Sequence, residues 1–266
     1  MRTRIISGAI LTLILVLAVL GGKISMFALA VGISGLGMFE LYRVVGIHKS
    51  LLGLAGYVLA ACYYAMLFFN MMEYMLYFCV ASSLLIMFVY VCSFAKMKAS
   101  QAAFALLGIY YVAIPVSFIY KIRMLDYGVY VFILLFVCSW IADTFAYFVG
   151  VNLGKHKLVP HLSPKKSVEG AIGGVVGAGI IGLIYGIVLH NTLKINSQIP
   201  FLIISMAGAF ISIFGDLAAS AIKRNYEVKD YSNLIPGHGG ILDRFDSMLF
   251  VAPIVYIGAK LFMPML

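Results

Sequence analysis

Residues 74–94 read YMLYFCVASSLLIMFVYVCSF, a run without one charged side chain. A helix of that length spans about 30 Å, the thickness of the hydrocarbon core of a bilayer. Working outward, the same character resumes on both sides. Of 266 residues, 64% are apolar and 11% charged, whereas a soluble domain carries about a quarter charged residues. The spans read as approximately 4–20, 24–44, 51–70, 74–94, 101–121, 127–150, 168–189, 199–222 and 247–263. A backbone in hydrocarbon must satisfy its own hydrogen bonds, so continuous apolar runs predict an all-α, polytopic membrane helix bundle. A β-barrel would need alternating ten-residue segments, which these runs are not. The chain reads as a single integral membrane domain, with N-terminal spans over 1–126 and the polar chemistry over 127–266.

The net charge of +9 is spread singly and in pairs between apolar runs. That is the pattern of membrane topology, and it predicts no nucleic-acid partner. With the N-terminus inside, fourteen Lys and Arg fall on the inner side, from Arg2 and Arg4 to Arg244, against Lys23, Lys121, Arg123, Lys194 and Lys260 outside. The positive-inside rule then puts the two longer polar loops, 151–167 and 223–246, in the cytoplasm of an inner-membrane protein. Arg2 and Arg4 followed by Ile5–Leu20 mimic a secretory leader, but apolar character resumes after Lys23, so the segment reads as an uncleaved first span. Cys62, Cys79, Cys92 and Cys138 lie inside apolar segments without paired spacing and read as small buried hydrophobes.

Acidic residues are few, and half of the ten lie between 216 and 246. Asp216 sits inside the eighth span, where a carboxylate costs several kcal/mol unless it meets a partner or a wet cavity. Asp243 and Asp246 are three apart at the start of the last helix and share one face. A helix N-terminus favours such charges by itself, but that does not account for Asp216 or for the neighbouring Lys223, Arg224, Lys229 and Arg244. Carboxylates beside these cations make a site for Mg²⁺ and polyphosphate, because Mg²⁺ binds through one or two carboxylates plus substrate phosphates. Between them Pro236-Gly237-His238-Gly239-Gly240 lets backbone N–H groups approach an anion.

The stretch Ser220–Asp246, SAIKRNYEVKDYSNLIPGHGGILDRFD, resembles the signature of the phosphatidate cytidylyltransferases, the CDP-diacylglycerol synthases. So do Asp143-Thr144 through Gly150, Gly154-Lys155-His156-Lys157-Leu158, and Ser163-Pro164-Lys165-Lys166-Ser167 with Glu169-Gly170. Ser167 and Val168 stand where the family commonly has Thr and Trp. The resemblance covers the C-terminal half; the first 130 residues match only as apolar spans. It implies an all-α membrane bundle with a polar cavity opening to the cytoplasm, and Mg²⁺-dependent transfer of CMP from CTP to phosphatidic acid, giving CDP-diacylglycerol and pyrophosphate. Two divalent ions, or a divalent with a monovalent cation, both suit that chemistry. By the resemblance and the clustering of carboxylates, Asp216, Asp243 and Asp246 are expected to bind metal. Lys223, Arg224, Lys229 and Arg244 are expected to hold phosphates, with Ser220 in the same signature. Ser163, Lys165 and Lys166 close on the nucleotide from the other loop, and Asp143 is a further candidate. His238, with Gly239 and Gly240, shapes the loop or meets phosphate.

Plainer roles go to the remaining features. Glu40 and Arg43, three apart, read as an interfacial ion pair. The glycines of GAIGGVVGAGIIG, 170–182, read as a close helix-packing face, and such faces permit a homodimer. Tyr42, Tyr63, Tyr64, Tyr110 and Tyr111 suit an aromatic belt or ordinary packing. Two rival functions remain in view. A CTP-dependent enzyme acting on another lipid phosphate would share every motif. A transporter predicts inverted repeats and charges near mid-bilayer, whereas the charges here cluster in two loops on one side.

Overall fold

The computed structural model describes residues 2–263, with side chains from Ile6 onward; the side chains of Arg2 and Arg4 lie outside the described residues. The elements are α1 (Arg2–Leu20), α2 (Gly22–Val45), α3 (Leu51–Phe68), α4 (Met72–Cys92), α5 (Ala99–Arg123) and α6 (Gly128–Leu153). Then come β1 (Lys157–Val159), β2 (Ser163–Ser167), α7 (Val168–Leu193), α8 (Gln198–Asn225) and α9 (Leu242–Phe262). Helices α2 to α9 are long and apolar enough to cross a membrane, and the apolar stretch of α1, Ile6–Leu20, is shorter. This is an all-α, multi-pass membrane architecture, and every apolar run read from the sequence falls on one helix.

One detail differs from the sequence reading: the 151–167 segment carries an antiparallel hairpin, with Lys157 opposite Ser167 and Val159 opposite Ser163. The last helix starts at Leu242, ahead of its apolar run, and carries Asp243 and Asp246 near its start as expected.

By internal contacts the chain forms two units, Met1–Ser117 with Tyr226–Arg244, and Phe118–Asn225 with Phe245–Leu266. In the first, the buried ring of Tyr42 fills the space left by Gly56 of α3 and Gly108 of α5. Its hydroxyl donates to the Ala105 carbonyl at 2.6 Å. That carbonyl just precedes the π-helical turn Gly108–Ala113, where the regular backbone ladder is interrupted. Tyr63 pairs with Ser117 at 2.7 Å and Tyr64 with Ser34 at 2.6 Å, all four buried. These tyrosines are core packing with a satisfied polar tip. Helix α4 instead exposes Leu76, Tyr77, Phe88 and Val91, as a helix solvated by lipid does.

In the second unit, α7 uses its glycines on two faces. Gly170 and Gly174 lie against the Ala146 and Ala142 carbonyls of α6, while Gly182 and Gly186 approach Phe201 and Ser197 at the start of α8. The expected close packing is therefore present, with backbones meeting where no side chain intervenes. A Cβ at Gly174 would lie 2.8 Å from the Ala142 oxygen and 3.1 Å from the Ala146 Cβ. Gly174→Leu is expected to lower stability in detergent by about 1–3 kcal/mol, read as earlier thermal unfolding. Gly35→Leu, in open space on α2, should leave the transition in place.

Candidate active site

The segment joining α8 to α9 folds through residues that accept left-handed backbone. Glu227, Gly237 and Gly239 have φ of 54°, 77° and 85°. The Gly-rich turn closes on itself, with Ile235 N donating to Gly239 O at 2.8 Å and His238 N to Ile235 O at 2.9 Å. His238 Nδ1 lies 2.9 Å from Ser7 Oγ, which donates to the Pro236 carbonyl at 3.0 Å. His238 thus shapes the loop through α1. Asp243, buried in the first turn of α9, accepts from Tyr231 N at 2.8 Å and Gly240 N at 3.0 Å through one oxygen. These charge-assisted bonds tie both ends of the loop to one carboxylate. Lys229 and Arg244 stand exposed at the two ends of this segment.

Glu40 and Arg43 of α2 make no ion pair with each other among the described residues, contrary to the sequence expectation. Glu40, 1% exposed, accepts from Ser232 Oγ at 2.5 Å, Ile241 N at 2.9 Å and Leu242 N at 2.8 Å. Arg43 Nη2 donates to the Tyr231 carbonyl at 2.9 Å. Both side chains serve the loop because the first amides of α9 and the loop carbonyls need partners that their own helix does not supply. A polar residue inside an apolar span was the available signal, but a partner some two hundred residues away cannot be read from it.

In the second unit, Lys166 of β2 forms an ion pair with Asp216 of α8 at 2.5 Å, both side chains about 30% exposed. Asp143 of α6 lies within electrostatic reach of Lys166 and of Asp216. The intramembrane carboxylate therefore has the cationic partner that its position demands. The hairpin bearing Lys166 is strapped to α7: His156 Nδ1 sits 2.6 Å from Glu169 Oε1, and His156 N donates to both Glu169 oxygens. Ser167 caps α7 by accepting from Gly170 N at 3.1 Å. Ser163 is half-buried and Lys165 exposed on the same hairpin.

Gly215 lets α8 approach the backbone of α9 at Asp246 and Ser247; a Cβ there would lie 2.8 Å from the Asp246 carbonyl. Asp246 Oδ1 accepts from Ser247 N at 2.7 Å. Ser220 and Lys223 are half-buried and Arg224 is exposed, the two cations lying in the last turn of α8, where the helix dipole favours positive charge.

The structure therefore gathers Asp143, Lys166 and Asp216 in one unit, and His238, Gly239, Gly240 and Asp243 in the other. Among the described residues no three His, Cys, Asp or Glu side chains are grouped to hold a metal ion. Sequence reasoning missed Glu40, Arg43 and Ser7 as supports of the Gly-rich turn.

Comparison with known proteins gives a consistent match. A family model described as the cytidylyltransferase family matches residues 2–262. The phosphatidate cytidylyltransferase of Bacillus subtilis (strain 168) is 34% identical, covering 98% of each chain. That of Thermotoga maritima is 41% identical over 60% of this chain and 59% of its own. That of Staphylococcus saprophyticus is 38% identical over 67% of this chain and 66% of its own.

The two roles open to Asp243, brace and charge, separate on substitution. Asp243→Asn keeps an oxygen acceptor for Tyr231 N and Gly240 N, so thermal unfolding in detergent is expected within a few degrees of the unsubstituted protein. Asp243→Ala leaves buried N–H groups unmatched and should cost about 1–3 kcal/mol. Equal destabilisation by both would refute the bracing role.

Proposed function

The chain belongs to the cytidylyltransferase family, and on that premise we propose that it transfers CMP from CTP to phosphatidic acid, releasing pyrophosphate and forming CDP-diacylglycerol. The observation that carries this reading is the Lys166–Asp216 pair with Asp143 beside it, at the polar end of membrane helices. Fixed opposite charges reached from apolar helices suit a reaction between a polyanion and a lipid phosphate.

In that reaction a phosphate oxygen of phosphatidic acid attacks the α-phosphorus of CTP. The bond from that phosphorus to the bridging oxygen breaks in line, and pyrophosphate leaves. An ionised phosphate needs no strong general base, so the protein's work is alignment and charge compensation. Lys166, with Lys165 and Ser163 on the hairpin, engages the nucleotide phosphates. Lys223 and Arg224 at the end of α8, with Lys229 and Arg244, compensate the remaining charge, Arg suiting bidentate contact with phosphate. The turn at Gly237 and Gly239 presents backbone N–H groups to an anion, while Gly240 N is held by Asp243.

Asp216, Asp243 and Asp246 are hard oxygen donors, each able to offer Mg²⁺ a carboxylate. Mg²⁺ takes one or two protein carboxylates and the rest of its ligands from triphosphate; among the described residues no three acidic side chains are grouped for it. Bound Mg²⁺ would supply neutralisation of the developing charge on pyrophosphate. The phosphate-binding loops then lie on the cytoplasmic side of the cell membrane, where CTP is found. The lipid substrate arrives from the bilayer.

The test is a labelled-CTP assay on purified protein in mixed micelles with phosphatidic acid. Label at the α-phosphate should enter the lipid phase only with Mg²⁺ present, and γ label should not. Asp243→Asn should lower turnover at least about 1,000-fold while the fold persists. Transfer of the γ label would mean a lipid kinase instead. Transfer of α label to another lipid phosphate but not to phosphatidic acid would replace the acceptor. Full activity of Asp243→Asn would remove that residue from the site.

A further inference from the structure

We infer that Glu40, in a helix outside the signature region, is a positioning residue that sets the shape of the Gly-rich turn. This rests on the proposed cytidylyl transfer for its kinetic consequence, though not for its geometry.

The segment 231–242 is pinched at its neck by two carboxylates. Asp243 takes the amides of Tyr231 and Gly240. Glu40 takes the hydroxyl of Ser232 and the amides of Ile241 and Leu242. The donors alternate in space from one end of the segment to the other: residues 231 and 232 enter, residues 240, 241 and 242 leave, and the turn between them is held out as a closed loop. Ser232 Oγ passes the constraint on by accepting from Leu234 N at 3.1 Å. Arg43 adds a clamp on the Tyr231 carbonyl from the same face of α2.

A carboxylate buried in a membrane-crossing helix is costly unless donors surround it. Three donors converge on Glu40, and all belong to the segment that carries the turn. Gly240 completes the fit, since a Cβ at that position would lie 2.6 Å from the Glu40 carboxylate oxygens. The glycine thus answers a second need besides loop flexibility: it makes room for Glu40. An aliphatic residue would pack α2 at this point as well, so the carboxylate is present for the loop it binds.

The test uses the full-length protein with Glu40→Gln, which keeps size but replaces one acceptor oxygen by a donor, and with Ser232→Ala, a milder change that removes one of the three bonds. Hydrogen–deuterium exchange on protein without nucleotide should accelerate roughly tenfold over residues 231–242 in Glu40→Gln, with α7 unchanged, for a loss near one or two hydrogen bonds. In the transfer assay the KM for CTP should rise about tenfold while that for phosphatidic acid moves less than about twofold. Adding Ser232→Ala to Glu40→Gln should add less than Ser232→Ala does alone, because both loosen the same carboxylate-held neck.

Unchanged exchange over 231–242, or exchange raised equally in every helix, overturns the inference. Faster exchange with an unaltered KM for CTP overturns the positioning role and leaves Glu40 as a helix cap alone. Should the unsubstituted protein fail to use phosphatidic acid, the proposed reaction falls, and the exchange experiment still decides whether Glu40 shapes the loop.

Discussion

An amide hydrogen with no water near it must find an acceptor, and this rule organises the molecule. Inside the spans the helical ladder satisfies it. The difficulty falls on the irregular segment between α8 and α9, several of whose residues are buried: Tyr231, Ser232, Gly240 and Ile241. No ladder serves them. Glu40 and Asp243 do so instead, with Ser232 as an intermediary. A turn built this way keeps its form without a sheet to hold it. Its Gly237 and Gly239 can then adopt left-handed backbone at no steric cost.

The hairpin side follows the same logic with different groups. Asp216 is a charge on an apolar helix, and Lys166 answers it from β2. Lys166 in turn is placed because His156 and Glu169 strap the hairpin to the first turn of α7, and because Ser167 ends β2 by capping that helix. Each polar group meets a partner whose position depends on another polar group. The charges that suit a polyanionic substrate are held by neighbours before that substrate arrives, which is how electrostatic preorganisation is achieved.

Much of the fold was legible because hydrocarbon tolerates so little. A run such as 74–94, uncharged throughout, admits one structure, and α4 is found there. The signature stretch and Asp216 drew the reading of a site because Asp216, Asp243 and Asp246 are rare carboxylates in an apolar chain. What escaped the sequence is long-range pairing. Glu40 and Arg43 sit at ion-pair spacing on one helix, and local reasoning joins them; the demand from the start of α9 outweighs that pairing. The hairpin at 157–167 escaped for another reason: its strands are too short and too polar for an alternating pattern.

The glycine faces of α7 carry a mechanical consequence. Where Gly170, Gly174, Gly182 and Gly186 bring α6, α7 and α8 into backbone contact, no long side chains remain to change rotamer or to be re-threaded. Three such helices behave as a keel, with Val149, Phe145 and Met206 packed onto Gly173, Gly177 and Gly179 between the backbone contacts. Sliding one past another would drive carbonyl oxygens into Cα atoms. Compliance on this side of the molecule is therefore left to the short hairpin and its exposed Lys165, hung from that keel by the His156–Glu169 contacts, the Ser167 cap and the Lys166–Asp216 pair.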